Sequence, residues 1–192
     1  RRVLFRSGWL WPRLKAPVYA TPFTAYLIRD KLRERGILDE VELIEVPLGG
    51  SIQLGPFGVT FVTMTHSIAE PNGLAIDTPL GLVFHTGDWK IDPTPVIGQP
   101  TDERRLRELG DEGVLALVGD STNAVRDGRS PSETEVAATI KKLVKAAKGR
   151  VAVTTFASNV ARVRAVVDAA NAADREVVVV GRAMERVVQV DR

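Results

Sequence analysis

Apolar and polar positions alternate along the first half of the chain and take on helical spacing in the second. Alternation with period two marks a half-buried strand, because successive side chains point to opposite faces. Apolar residues recurring every three or four positions mark one face of a helix. On this basis residues 18–20, 41–46, 59–65, 74–78 and 82–86 are predicted as strands. Between the first two, Thr21 as N-cap and Pro22 at the first helical position open a helix. Its apolar residues Phe23, Tyr26, Leu27 and Leu32 run up to Gly36, a helix stop. Gly49-Gly50 and Pro56-Phe57-Gly58 read as turns, and Pro79-Leu80-Gly81 as a hairpin turn between two strands.

The pattern changes after Asp92-Pro93-Thr94-Pro95. A short polar helix at 102–109, ended by Gly110, leads into a buried strand at 114–118. A helix at 132–147 then opens on a Ser132 and Glu135 capping box. It is followed by a strand at 151–154, a helix at 158–172, a strand at 177–180 and a further helix from Met184. Strand and helix alternating at this spacing argue a parallel α/β sheet. The boundary falls near Arg126-Asp127-Gly128, which gives a first domain over 8–126 and a second over 127–192. Residues 1–7 read as a foreign or truncated end and stay outside the fold argument. The sequence contains no internal repeat and no low-complexity tract.

Composition narrows the class without choosing a function. With 44% hydrophobic and 26% charged residues over 192 positions, the expectation is an ordinary soluble globular chain. No apolar run approaches the roughly 20 residues of a membrane span, so no membrane partner is expected. The absence of cysteine excludes disulfides and thiolate metal sites and is compatible with the cytoplasm. The formal charge of +2 hides an asymmetry. Residues 1–125 carry 13 Lys and Arg against 16 Asp and Glu, a net of −3, whereas residues 126–192 carry 13 against 8, a net of +5. A basic segment beside a metal-bearing one would attract a polyanion such as RNA. Lys141, Lys142, Lys145 and Lys148 by themselves also read as a solvated helix face.

The candidate chemistry gathers at strand ends. His66 closes one predicted strand, and Asp88 follows the next but one, after His85-Thr86-Gly87. Histidine nitrogen and carboxylate oxygen are zinc-type donors, and two-ion sites suit phosphodiester hydrolysis. Gly87 would let the backbone turn sharply so that the Asp88 carboxylate projects; a plain turn aspartate is the alternative. His85 points to the opposite face from Thr86 and reads as a hydrogen-bonded core histidine. Asp120 ends the predicted buried strand, where an α/β site would be built; an Asx-turn or helix-cap role is the alternative.

Five motifs in order carry a resemblance. Thr65-His66-Ser67-Ile68, His85-Thr86-Gly87-Asp88-Trp89-Lys90-Ile91-Asp92, Gly119-Asp120-Ser121-Thr122-Asn123-Ala124, Thr155-Phe156-Ala157-Ser158-Asn159 and Gly181-Arg182-Ala183-Met184 resemble those of the ribonuclease J family. That family belongs to the β-CASP branch of the metallo-β-lactamase fold, and the likeness runs from about Trp9 to the C-terminus. It implies a partial metallo-β-lactamase αββα sandwich followed by the first part of a β-CASP α/β domain. It further implies that His66 binds one metal and Asp88 bridges two zinc ions, with manganese as the alternative. Asp120 would orient a catalytic histidine, and Ser158, Asn159, Arg182 and Met184 would lie on the path of single-stranded RNA. The implied activity is 5′-to-3′ exonuclease with endonuclease activity in RNA decay and maturation, by a homo-oligomer.

The departures matter as much. A His-x-His-x-Asp-His run is expected shortly before Leu10, where residues 1–8 hold no histidine, and later histidine motifs are expected beyond Arg192. The chain therefore reads as an internal fragment with about two of roughly seven metal ligands, inactive by itself. Two other readings stay open: another metallo-β-lactamase-fold hydrolase, acting on a thioester or lactam, and a non-catalytic nucleic-acid-binding scaffold.

Overall fold

The computed structural model describes residues 9–181 and 183–185. It is a mixed α/β structure that divides into two compact units. Of the described residues, one gathers those up to Thr63 with Asn72–Asp88 and Glu103–Gly119; the other gathers Met64–Pro71, Trp89–Asp102 and those from Asp120 onward.

In the first unit β1 (Val18–Ala20) pairs in parallel with β2 (Leu43–Glu45), joined by helix α1 (Pro22–Glu34). Pro22 stands in the first turn as expected, and the face of α1 carrying Ala25, Ile28 and Leu32 is buried. Thr21 occupies the N-cap position without a side-chain capping bond. A five-stranded sheet follows in the order β3 (Ser51–Leu54), β4 (Phe57–Thr63), β5 (Asn72–Thr78), β6 (Gly81–His85), β7 (Val114–Val118). Its first four strands are antiparallel neighbours, and β7 joins β6 in parallel after the crossover helix α2 (Glu103–Glu112). Val46, Val59 and Phe61 form a core, and Tyr19, Ile52, Leu74 and Ile76 pack on it. Alternation along β4 produces this: Val59 and Phe61 share one face, as period two requires. β3 was not foreseen, because Ser51 to Leu54 offers only two apolar residues and is exposed at three of four positions.

Three expectations about elements fail in this unit. The turn read at Pro56-Phe57-Gly58 lies at Gly55-Pro56, and Phe57 and Gly58 already pair in β4. The helix at 102–109 was to stop at Gly110, but α2 runs through Gly110 to Glu112 and ends at Gly113, whose φ of +91° no side chain adopts easily. The strand at 114–118 forms where expected but is not buried. Among the described residues β7 is the sheet's edge, with Leu115 63% and Leu117 68% exposed. A run of valine and leucine reports strand propensity; burial depends on what covers the strand, which the run does not encode.

In the second unit α3 (Glu133–Ala146) packs on α4 (Val160–Asn171). The buried positions of α4 are Val160 and four alanines, Ala161, Ala165, Ala169 and Ala170. The capping box of α3 is complete: Ser132 Oγ accepts the Glu135 N–H at 3.0 Å, and the Ser132 N–H donates to Glu135 Oε2 at 3.0 Å. Residues 151–154 and 177–180, expected as strands, form no ladder among the described residues. A strand exists only through hydrogen bonds to a neighbour, so an apolar run cannot make one by itself.

No described helix is long and apolar enough to cross a membrane.

Candidate functional site

In the first unit the chemistry begins where β6 ends. Thr86 is buried and its N–H donates to the Val118 carbonyl at 3.0 Å, fixing the strand end against β7. Gly87 then turns the chain with a φ of +64°. A Cβ there would stand 2.8 Å from the Asn72 carbonyl oxygen, so glycine is required both by conformation and by space. His85 is exposed, contrary to the expectation of a core histidine. Its Nδ1 lies 3.0 Å from the Gly87 nitrogen and accepts that N–H, so in the neutral ring the proton sits on Nε2. His85 thus fixes the turn from its solvent side. Asp88, next along, is exposed and makes no hydrogen bond or ion pair among the described residues. The result is a carboxylate presented on a held turn.

In the second unit buried Thr65 organises the loops. Its N–H donates to Thr101 Oγ1 at 3.0 Å, and its hydroxyl meets the Thr101 hydroxyl at 2.8 Å. The same hydroxyl donates to the Lys90 carbonyl at 2.5 Å and accepts the Asp92 N–H at 3.0 Å, while the Lys90 N–H returns to the Thr65 carbonyl at 2.9 Å. His66 follows, half-buried, with Nδ1 3.1 Å from Ser67 Oγ. Asp120 is half-buried, and its Oδ1 accepts the Thr122 N–H at 3.0 Å, closing an Asx-turn. Hydrogen bonds from the Thr122 hydroxyl and N–H hold its carboxyl below the usual carboxylate range. Trp89 and the charge of His66 add to this, against the effect of burial. The Asp120 carbonyl accepts the indole N–H of Trp89 at 3.1 Å. The Asx-turn left open by the sequence is therefore present, and His66 is close enough to be felt electrostatically.

The expected RNA-contacting residues are placed unevenly. Ser158 is half-buried in the turn before α4. Asn159 is the N-cap of α4, its Oδ1 accepting the Arg162 N–H at 3.0 Å. Met184 is half-buried and lines an apolar groove of about 340 Å³ with Val153, Val163, Val167 and Val178. Arg182 lies outside the described residues.

The sequence reading missed one cluster. Asp92, 2% exposed, accepts the Glu133 N–H at 2.9 Å on Oδ2 and the Thr94 N–H at 3.1 Å on Oδ1. Lys90 Nζ lies 3.4 Å from Asp92 Oδ2 and donates to Glu133 Oε1 at 3.0 Å. Arg162 approaches the same Glu133 carboxylate, with Nε at 3.4 Å and the nearest terminal nitrogen at 3.3 Å from Oε2. Burial pushes the Asp92 carboxyl up, but the two N–H groups and the Lys90 cation outweigh it and leave it below the usual range. Partners 41 residues apart leave no spacing signal.

Histidine and carboxylate are apt donors for zinc, but a catalytic zinc needs about three protein ligands. Among the described residues no group of three or more histidine, cysteine or acidic side chains could hold a metal. The donors present among the described residues do not by themselves make such a centre.

Comparison with known proteins gives a consistent picture. Residues 148–192 match the family model described as ribonuclease J, beta-CASP domain. The chain is 52% identical to a ribonuclease J of Sinorhizobium meliloti over 183 residues, covering 95% of this chain and 32% of that protein. It is 48% identical to a ribonuclease J of Corynebacterium glutamicum, over 91% of this chain and 24% of the relative. It is 42% identical to one of Thermus thermophilus, over 88% and 30% respectively. The chain thus spans about a quarter to a third of the length of these curated relatives. A crystal structure of a protein of unknown function from Enterococcus faecalis V583 shares the fold, with a TM-score of 0.61 at 18% identity over 80% of this chain and 39% of that one. The chain is therefore related to ribonuclease J, and the mixed α/β architecture agrees with that kinship.

Proposed function

From this kinship with ribonuclease J we propose that the protein carrying this chain is a ribonuclease that hydrolyses RNA phosphodiester bonds. The observation that carries the reading is the 52% identity to a ribonuclease J sustained over 183 residues, which takes in the His66, Asp88 and Asp120 motifs. The finer reading is a 5′-to-3′ exonuclease with endonuclease activity, acting in the cytoplasm in RNA decay and maturation. Single-stranded RNA is its substrate and a homo-oligomer its working form.

Two divalent ions, zinc or manganese, would supply charge stabilisation for the displacement at phosphorus. In this reading His66 and Asp88 are two of the ligands. The exposed, uncommitted carboxylate of Asp88 supports its part, and the turn held by Gly87 and His85 gives that carboxylate a fixed origin. Asp120 orients a catalytic histidine, using a carboxyl kept ionised by Thr122. Ser158, Asn159, Arg182 and Met184 contact the RNA. Arginine suits phosphate as a fork of donors, and methionine offers an apolar surface to a base.

A chimera tests this directly. The chain replaces the matching stretch of the Sinorhizobium meliloti ribonuclease J and is incubated with a 5′-monophosphorylated RNA and zinc or manganese. The chimera is expected to cleave, its Asp88→Ala form to fall by at least about 10²-fold, and the 192-residue chain to be inert. Cleavage by the chimera that survives Asp88→Ala would overturn the ligand assignment. A folded chimera inert on RNA would overturn the function.

A further inference from the structure

We propose that Glu133 is a positioning residue for RNA, fixing the turn that carries Ser158 and Asn159 through its buried ion pair with Arg162. This inference rests on the ribonuclease reading and adds to it a residue outside the five motifs. Glu133 is 6% exposed and opens α3, where its own N–H is taken by Asp92. Its carboxylate meets two cations, Lys90 at 3.0 Å and Arg162 at 3.3 Å. The two cations come from different segments of the second unit, a loop and a helix. Lys90 belongs to the segment whose Trp89 holds the Asp120 carbonyl and whose backbone pairs with Thr65, beside His66. Arg162 stands in the first turn of α4, and its N–H is the one that Asn159 caps. Glu133 therefore joins the segment bracing His66 and Asp120 to the turn bearing the proposed RNA contacts.

Loss of the carboxylate acts unequally on its two partners. Lys90 keeps Asp92 at 3.4 Å, whereas the Arg162 guanidinium has no other partner among the described residues. A partly buried cation stripped of its counter-charge must move toward solvent. Arg162 would draw the first turn of α4 with it, and Ser158 and Asn159 would shift relative to Asp120 while His66 and Asp120 keep their own bonds. RNA placement suffers more than the chemical step.

The test introduces Glu133→Gln, Arg162→Gln and the pair into the chimera, with steady-state cleavage of a 5′-monophosphorylated RNA. In parallel, hydrogen exchange of the α4 N-terminal amides is followed in the 192-residue chain. Glu133→Gln is expected to raise KM by roughly tenfold with kcat held within about threefold, a fraction of the ~10²-fold that a 1 Å misplacement can cost. Glu133→Asp should recover part of the loss. The double variant should be no worse than either single one, since both remove the same link. Exchange at Asn159 and Arg162 should accelerate in Glu133→Gln. A loss confined to kcat, a melting-temperature drop without a KM change, or additive single variants would overturn the proposal. So would unchanged exchange in a chain whose chimera proves inert, which separates failure here from failure of the ribonuclease reading. Should Glu133→Gln melt below assay temperature, Arg162→Gln, which leaves Glu133 paired with Lys90, decides by the same KM criterion.

Discussion

At the residue scale, what could be read from the sequence was what depends on neighbours along the chain. Gly87 before Asp88 signals a sharp turn with a projecting carboxylate, and the structure has the φ of +64° and the exposed Asp88 that follow. For Asp120 the sequence left an Asx-turn or a helix cap as alternatives to a site carboxylate, and the Asx-turn with Thr122 forms. His85 shows the limit. Alternation correctly gave it the face opposite Thr86 but not its exposure, since the pattern cannot say whether a face is covered. Asp92 marks a second limit, because its partner Glu133 lies 41 residues away. Its carboxyl is held below its ordinary value of 3.8, so the folded chain favours the ionised form. The resulting stability is fully present above the unfolded value and is lost as pH falls through the lower folded value. Asp92→Asn should therefore melt well below the parent chain at pH 7, with the gap closing as pH drops below about 4. Melting curves at several pH values check this. A constant offset down to pH 3 would mean that packing, not ionisation, makes Asp92 important.

At the element scale, helices were easier to read than strands for a physical reason. The start of a helix is written in four consecutive residues. Ser132 and Glu135 predicted the opening of α3 because each side chain satisfies the other's backbone N–H, with no help from the rest of the chain. Strands answer to partners. The segments at 74–78 and 82–86 become β5 and β6, and the segment at 59–65 supplies β4 only as far as Thr63, which leaves His66 in the loop beyond the strand rather than at its end. Antiparallel partners close in sequence make these ladders. The segments at 151–154 and 177–180 look as good in sequence yet make no ladder among the described residues. The locality of the cap is testable. Ser132→Ala should cost about 1 kcal/mol in urea unfolding, while Ser132→Asn, which keeps an acceptor, should stay within a few tenths. Equal losses from both variants would show that the site works through packing around Asp92 rather than through the capping bond.

At the scale of the whole molecule the sequence carries its charge openly and its consequence less so. Residues 126–192 hold a net of +5, and the exposed lysines Lys141, Lys142, Lys145 and Lys148 make no ion pair among the described residues. A lysine already paired with a carboxylate has little to offer a phosphate; these four are uncompensated, as a polyanion partner would require. Lys141 and Lys145 stand four apart on α3, hence on one face, with Lys148 just past the helix end. The same arrangement would serve solubility alone, so the two readings must be separated by ionic strength. If the lysines meet RNA, the 192-residue chain should bind a single-stranded oligonucleotide weakly, without cleaving it. The affinity should fall steeply with salt, by about 0.7 in log K per log unit of salt for each phosphate neutralised, or a slope near −3 for four contacts. Replacing the four lysines with glutamine should flatten that slope toward zero, whereas loss of an uncharged contact, such as the one proposed for Met184, would lower affinity without changing the slope. Fluorescence anisotropy at several salt concentrations measures both quantities. A slope unchanged by the four substitutions would make the lysines a solvated face and would place the electrostatic contact with RNA elsewhere on the protein.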